Sequence, residues 1–269
     1  MKFELYNSAM IRAPGRLFEA SRGWGRVPLK VRWGFLDHPE LGPTLVDTGY
    51  GPRCYGPAVG TRSFGLRLYT LLFKAELLEQ GQVEAVLAAK GLATQDVQTV
   101  IVSHLHADHV SELRGFTNAR FIGSRRALAA VSAAGWRAPL AHGSFPELLP
   151  DDYADRLTDI DELPLETLPH GLGEGRVLVA GALSLVALEG HAVGHFVLLF
   201  HADNTLYAVD AHWVLTALAS AAPMQGLPKQ IADDTDAAEA TLARLRAFQA
   251  AGGNVVFCHD PNPCAFDVD

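Results

Sequence analysis

Apolar residues in this chain fall into short runs that end on chemically loaded positions. Thr99-Val100-Ile101-Val102 is a β-branched run leading straight into Ser103-His104-Leu105-His106-Ala107-Asp108-His109, where three histidines and one carboxylate sit within six residues. Such a run reads as a buried strand, and the polar cluster as the loop at its end. Upstream, residues 2–13 carry Phe3, Leu5 and Met10 and read as a strand, and 12–26 as a loop rich in Gly and Arg. Over 27–37, Leu29-Lys30-Val31-Arg32-Trp33 alternates with period two, as a half-buried strand does. A turn at 38–43 and the strand Thr44-Leu45-Val46-Asp47 complete a hairpin that ends at Asp47-Thr48-Gly49.

Helical periodicity takes over next. Leu68, Leu71, Leu72, Ala75 and Leu78 form one stripe and predict a helix over 66–80; a second helix over 83–90 is closed by Gly91. The wide apolar face of the first leaves three readings open: core, a lid, or a contact in a homodimer. Between the hairpin and that helix, residues 49–65 hold five glycines and two prolines, together with Tyr50, Tyr55 and Phe64. A loop of that length in a compact domain is commonly functional. After the histidine cluster the pattern predicts a helix starting at 110–113, a strand over 119–123 and a helix over 125–134. An irregular stretch over 135–153, with Trp136, His142, Phe145 and Tyr153, is the second candidate pocket wall. Strands follow over 166–168, 176–179, 183–188, 196–201 and 205–209, then a helix over 235–250 and a last strand over 254–258. Both halves run strands first and helices after, which predicts an α+β fold: two stacked mixed β-sheets with helices outside, an αββα four-layer sandwich.

Composition narrows the functional classes. With 49% apolar and 19% charged residues in 269, the chain is ordinary for a globular protein with a sizeable core. Its net charge of −8 gives no basic footprint for nucleic acid and makes the surface a poor partner for anionic lipid. No apolar run approaches the length of a membrane span, and Met1-Lys2-Phe3-Glu4-Leu5-Tyr6 lacks a signal pattern. Cys54, Cys258 and Cys264 are an odd set without disulfide-framework spacing; a bridge between Cys258 and Cys264, six apart near a Pro-rich end, is a weak candidate that a reducing compartment disfavours. A cytoplasmic protein is expected.

His191, Asp210 and His259 also stand at the ends of apolar runs. Imidazole and carboxylate are the ordinary ligands of zinc-like cations. Together with Asp47-Thr48-Gly49, the His104-x-His106-x-Asp108-His109 motif, Glu189-Gly190-His191-Ala192-Val193-Gly194-His195, Ala208-Val209-Asp210 and Phe257-Cys258-His259, this order resembles the metallo-β-lactamase superfamily from Asp47 to His259. The resemblance implies a single domain over 1–269, with 49–80 as an insertion that shapes a pocket, a lid or a dimer contact. It implies two divalent metal ions, zinc first, with manganese, iron or cobalt as alternatives. One metal would take His104, His106 and His191; the other Asp108, His109 and His259; Asp210 would bridge them. His191 is preferred to His195, which would support it from behind. Asp47 is expected to be structural or to brace a ligand.

Within the superfamily the chain is similar to the N-acyl homoserine lactonase branch. The shared features are its length, Gly115-Phe116-Thr117-Asn118 after the motif, and Asp210-Ala211. Where those enzymes carry a tyrosine three residues after the bridging aspartate, this chain has Trp213, and Val193 replaces a usual proline. The resemblance therefore implies hydrolysis of a lactone or other carboxylic ester, a small molecule, by a metal-bridging hydroxide. Asp108 would shuttle the proton, His212 or Trp213 would orient the carbonyl, and Tyr50, Tyr55, Phe64 and the 66–80 segment would line an acyl pocket. A glyoxalase II-like thioesterase or a phosphodiesterase is the alternative enzyme. A non-catalytic, metal-containing ligand-binding protein is the alternative of another class.

Overall fold

The computed structural model describes residues 2–19, 22–55, 63–133, 142–219 and 222–268. Strands β1 (Phe3–Pro14), β2 (Arg26–His38), β3 (Gly42–Val46), β4 (Glu76–Leu77), β5 (Thr99–Ile101), β6 (Arg120–Gly123) and β7 (Leu157–Asp159) make one sheet, in the order β4-β1-β2-β3-β5-β6-β7. The second sheet holds β8 (Leu165–Leu168), β9 (Gly173–Val179), β10 (Leu183–Ala187), β11 (Phe196–Phe200), β12 (Thr205–Val209) and β13 (Asn254–Phe257), in the order β13-β12-β11-β10-β9-β8. The chain divides into two compact units: Met1–Ile11, Lys30–Thr158 and Pro263–Asp269 in one, Arg12–Leu29 and Asp159–Asn262 in the other.

In the first unit, β2 and β3 form the expected hairpin, pairing Gly34 with Val46 and His38 with Gly42. β3, β5 and β6 then run parallel. Parallel neighbours deliver their C-terminal ends to the same rim, so Asp47 after β3 and Ser103–His109 after β5 emerge side by side. The core beneath that rim includes Trp33, Tyr50, Val100, Phe121, Phe145 and Tyr153. At the β1 edge, the Leu5 N–H donates to Phe266 O at 2.7 Å and the Val268 N–H to Leu5 O at 3.0 Å, so the 266–268 segment adds an isolated parallel bridge at Asp267. Asp267 there takes the Arg32 guanidinium through two bonds of 2.7 and 2.8 Å, and Lys30 Nζ at 2.8 Å.

The helix expected over 66–80 is shorter. It runs Phe64–Leu72, capped by Ser63, whose Oγ accepts from the Leu66 N–H at 3.1 Å. Beyond Phe73 the backbone finds better partners on β1: Met10 and Ala9 pair with Glu76 and Leu77, and the Leu78 N–H donates to Ser8 O. The Gly81 carbonyl accepts from the Trp33 indole at 2.8 Å. An unfilled strand edge outcompetes a further helical turn. The residues the helix buries are Leu66, Tyr69 and Thr70, while Leu71 and Leu72 are exposed. After the histidine cluster, a helical turn at Ala107–Val110 and a 3-10 turn at Leu113–Gly115 replace the continuous helix expected from 110. Trp136 and the 56–62 part of the glycine-rich loop lie outside the described residues.

The second unit is an antiparallel meander from β8 to β12, with β13 parallel to β12. The crossover between the parallel pair is the helix Thr235–Ala250, which buries Ala238, Thr241, Leu242, Leu245 and Phe248 at helical spacing. Asp234 caps it, accepting from the Asp236 and Ala237 N–H groups, and Gly252 at φ +92° ends it. Short helices at Thr216–Ala219 and Gly226–Gln230 have too few residues for a periodic signal. No disulfide forms among Cys54, Cys258 and Cys264. Among the described residues, no helix is long and apolar enough to cross a membrane.

Candidate metal centre

At the first unit's rim, His104, His106, Asp108 and His109 are all buried. The His104 ring lies 4.5 Å from the His106 ring and 4.1 Å from the His109 ring, centroid to centroid. The helical turn Ala107–Val110 turns Asp108 and His109 back toward the strand end, and the Ala107 N–H is satisfied by Gly143 O at 2.9 Å.

Asp47 organises this group. It is fully buried and sits at φ +59°, a left-handed conformation that Asp tolerates better than most residues. Its Oδ1 accepts from the Ser103 N–H at 2.8 Å, and its Oδ2 from the Ser103 hydroxyl at 2.7 Å. Oδ2 also takes the Nδ1–H of His109 at 2.8 Å, which turns that ring's Nε2 toward Asp108, 3.8 Å away. The Ser103 hydroxyl has one proton and spends it on Asp47. The 3.0 Å contact between Ser103 Oγ and His104 Nδ1 therefore has His104 as the donor. One carboxylate thus fixes the tautomer of His109 directly and of His104 through a serine. The expectation of a bracing role for Asp47 agrees with this placement; the Ser103 relay was not visible in the residue order.

The loop after Asp47 is stitched to the same turn. Thr48 Oγ1 donates to His109 O at 2.9 Å, Ser111 Oγ donates to Gly49 O at 2.8 Å, and the Gly51 N–H donates to Ser111 Oγ at 2.7 Å. Arg53 Nε lies 2.8 Å from Glu112 Oε2. Burial raises the Glu112 carboxyl, Arg53 opposes it, and burial wins, leaving the group pushed up to about 7. Tyr50 is buried, its ring edge-on to Tyr55 at 5.8 Å. Phe64 is 77% exposed, so the pocket-lining role expected of it has no support from burial. His142 is exposed.

The second unit carries its own buried set. His191 Nε2 stands 3.5 Å and His259 Nε2 3.0 Å from Asp210 Oδ2. Burial disfavours protonated His259, but the Asp210 carboxylate outweighs it and holds the imidazole well above its ordinary value. Asp210 follows a break in register between Tyr207 and Val209 in the β12–β13 pairing, and Val209 itself sits at φ +47°. A β-branched residue is strained there, and such strain gathers where a side chain must be aimed. His191 follows Gly190, whose φ is +120° and where an added Cβ would come within 2.2 Å of the Ala238 backbone. The loop thus packs onto the start of the Thr235–Ala250 helix, and the Asp234 N–H donates to Gly190 O at 3.0 Å.

The Nδ1–H of His195 donates to Leu188 O at 2.7 Å, and its ring lies 5.7 Å from that of His191. His212 is buried beyond the end of β12, and its Nδ1 accepts from the Val214 N–H at 3.3 Å. Burial, aided by Arg246, pushes it down to about 4, so it is neutral at ordinary pH. The Trp213 ring stands edge-on to His259 at 5.9 Å, and its buried Nε1–H has no hydrogen-bond partner among the described residues.

The model of the metallo-beta-lactamase superfamily matches residues 65–259. An N-acyl homoserine lactonase of Bacillus cereus is 26% identical over 206 residues, covering 74% of this chain and 71% of that protein. The N-acyl homoserine lactonase AttM of Azorhizobium caulinodans is 25% identical over 276 residues, covering 97% and 90%. Among solved structures, an N-acyl homoserine lactone hydrolase with N-hexanoyl-L-homoserine at its catalytic metal center superposes with a TM-score of 0.70 at 21% identity, covering 96% of this chain and 93% of that one. The dizinc lactonase AidC superposes with a TM-score of 0.65 at 16% identity, covering 97% and 88%. Two mixed sheets with helices, in this order, are the α/β sandwich of those structures.

Proposed function

The chain belongs to the metallo-β-lactamase superfamily of metal-dependent hydrolases, and from that premise we propose that it opens a lactone or other carboxylic ester at a pair of divalent cations. His104, His106 and His191 would hold one cation and Asp108, His109 and His259 the other, with the Asp210 carboxylate available to both, as the family resemblance implies. The donor chemistry fits, because buried imidazoles and carboxylates gathered at strand ends need a cation or a partner to be tolerable. The observation that carries the reading is the Asp47–His109 bond with its Ser103 branch to His104. A carboxylate behind an imidazole, fixing its tautomer, is the usual support of a metal-binding histidine. Zinc is the first assignment for these nitrogen and oxygen donors.

When bound, the cations supply Lewis acidity and a water acidified toward neutrality. The chain's own residues do the rest. Asp108 receives a proton and passes it to the departing alkoxide. The Trp213 indole N–H serves as a donor toward the substrate carbonyl, and His212, neutral and fixed by Val214, shapes the wall beside it. Tyr50 and Tyr55 line the acyl side. The full-length similarity to AttM supports a lactone over the thioester and phosphodiester alternatives.

The test is a rate panel of N-acyl lactones, aryl esters, a thioester and a phosphodiester, run on metal-replete, chelated and Asp108→Ala protein. Lactone or ester turnover is expected, abolished by chelation and reduced at least about 100-fold in Asp108→Ala. Equal rates for wild type and Asp108→Ala would remove Asp108 from the mechanism. Preference for the thioester or phosphodiester would reassign the substrate, and tight binding without turnover would favour a non-catalytic role.

A further inference from the structure

Next to His259 lies a residue whose chemistry the reaction does not require. Cys258 is fully buried, and its N–H donates to Val209 O at 2.8 Å. That bond pins the cysteine beside the residue that precedes Asp210. The sulfur of Cys258, a carboxylate oxygen of Asp210 and a ring nitrogen of His259 all lie within 4.8 Å of one another. Donors sharing one zinc, at bond lengths of about 2.0–2.3 Å, stand about 3–3.5 Å apart. Sharing a cation requires side-chain rotation to close that difference.

We propose that Cys258 is a thiolate ligand of the cation held by His259 and Asp210, giving this site a sulfur donor in addition to its nitrogen and oxygen donors. The inference rests on the metal reading above. On binding, the thiol gives its proton to solvent and the sulfur lone pair goes to the cation. Sulfur is a soft donor, and it biases a site toward zinc, cobalt or iron(II) and away from manganese. A thiolate also adds negative charge, which offsets part of the cation's acidity, so the sulfur tunes the centre as well as holding it. Cys54 and Cys264 have no such company: neither occurs in a cluster of metal-ligating side chains among the described residues.

The test uses cobalt(II) as the probe. The apo-protein is loaded with cobalt(II) and its optical spectrum recorded for wild type, Cys258→Ser, and the double variant Cys54→Ser/Cys264→Ser. Visible d–d bands report occupancy of the centre, and a near-ultraviolet thiolate-to-cobalt charge-transfer band reports sulfur ligation. The expected result is a charge-transfer band in wild type and in the double variant that vanishes in Cys258→Ser. Zinc affinity of Cys258→Ser, read by chelator competition, should fall by at least about tenfold, the scale of losing a residue that supports a metal centre, while its manganese affinity changes less. Strong d–d bands without charge transfer in wild type would overturn the thiolate and leave the hydrolase reading standing. A charge-transfer band that survives Cys258→Ser would overturn it too, and failure to bind cobalt or zinc at all would overturn both. X-ray absorption of the zinc-loaded wild type needs no variant: a sulfur shell at about 2.3 Å supports the proposal, and a shell of nitrogen and oxygen alone overturns it.

Discussion

Asp47 shows how much one side chain can decide. Its two oxygens satisfy a backbone N–H, a hydroxyl and an imidazole, and through them set the tautomers of His104 and His109. Asp47→Asn keeps the left-handed backbone accessible but replaces one acceptor by a donor. It should stay folded and bind zinc about 10- to 100-fold more weakly, measured by competition with a chelator. Asp47→Ala should lose stability as well, because it strains the backbone and strands buried donors. The histidine cluster was legible because three imidazoles in six residues are improbable in a bland loop. The relay through Ser103 was not, because it depends on where parallel strands deliver their ends. Glu112 gives a pH signature. Its carboxyl stands at about 7 against an ordinary 4.5, so the folded state binds the proton more tightly than the unfolded. Its contribution is therefore full below about pH 4.5 and is lost as pH rises through 7, by at most about 3 kcal/mol. Glu112→Gln should flatten that part of the stability profile, checked by urea unfolding at pH 5 and pH 8.

Elements were legible in proportion to how far their own residues determine them. The helix Thr235–Ala250 has a capping aspartate, a periodic apolar face and a terminal glycine, and its bounds were read directly. The 66–80 segment has a helical stripe too, yet its second half joins β1, because the edge of β1 offered backbone bonds that periodicity cannot announce. The 266–268 segment makes the same point, since three residues carry no strand signal and are placed by long-range contacts. Its anchor is Asp267 on Arg32, whose side chain is 1% exposed. Asp267→Ala leaves that guanidinium buried without its carboxylate, and should cost about 3–5 kcal/mol in urea unfolding. Asp267→Asn, which keeps an oxygen acceptor, should lose less.

At the scale of the whole molecule, the order of strands and of histidine and aspartate motifs along the chain was enough to identify the superfamily, since strand order and motif order constrain each other. Substrate choice was less legible, because the side chains proposed to meet the substrate, such as Trp213, have surroundings that only folding decides. The two compact units are each assembled from separated stretches, with passages at 11/12, 29/30, 158/159 and 262/263. β1 and β2 run through two of these passages without a break. A single cut after Thr158 would therefore yield two fragments, neither of which contains a whole unit: the first carries Arg12–Leu29, which belongs with the second, and the second carries the Asp267 that Arg32 requires. Such fragments would behave as a complementing pair, each soluble and ordered only in the presence of the other, rather than as two modules that evolution or an engineer could exchange.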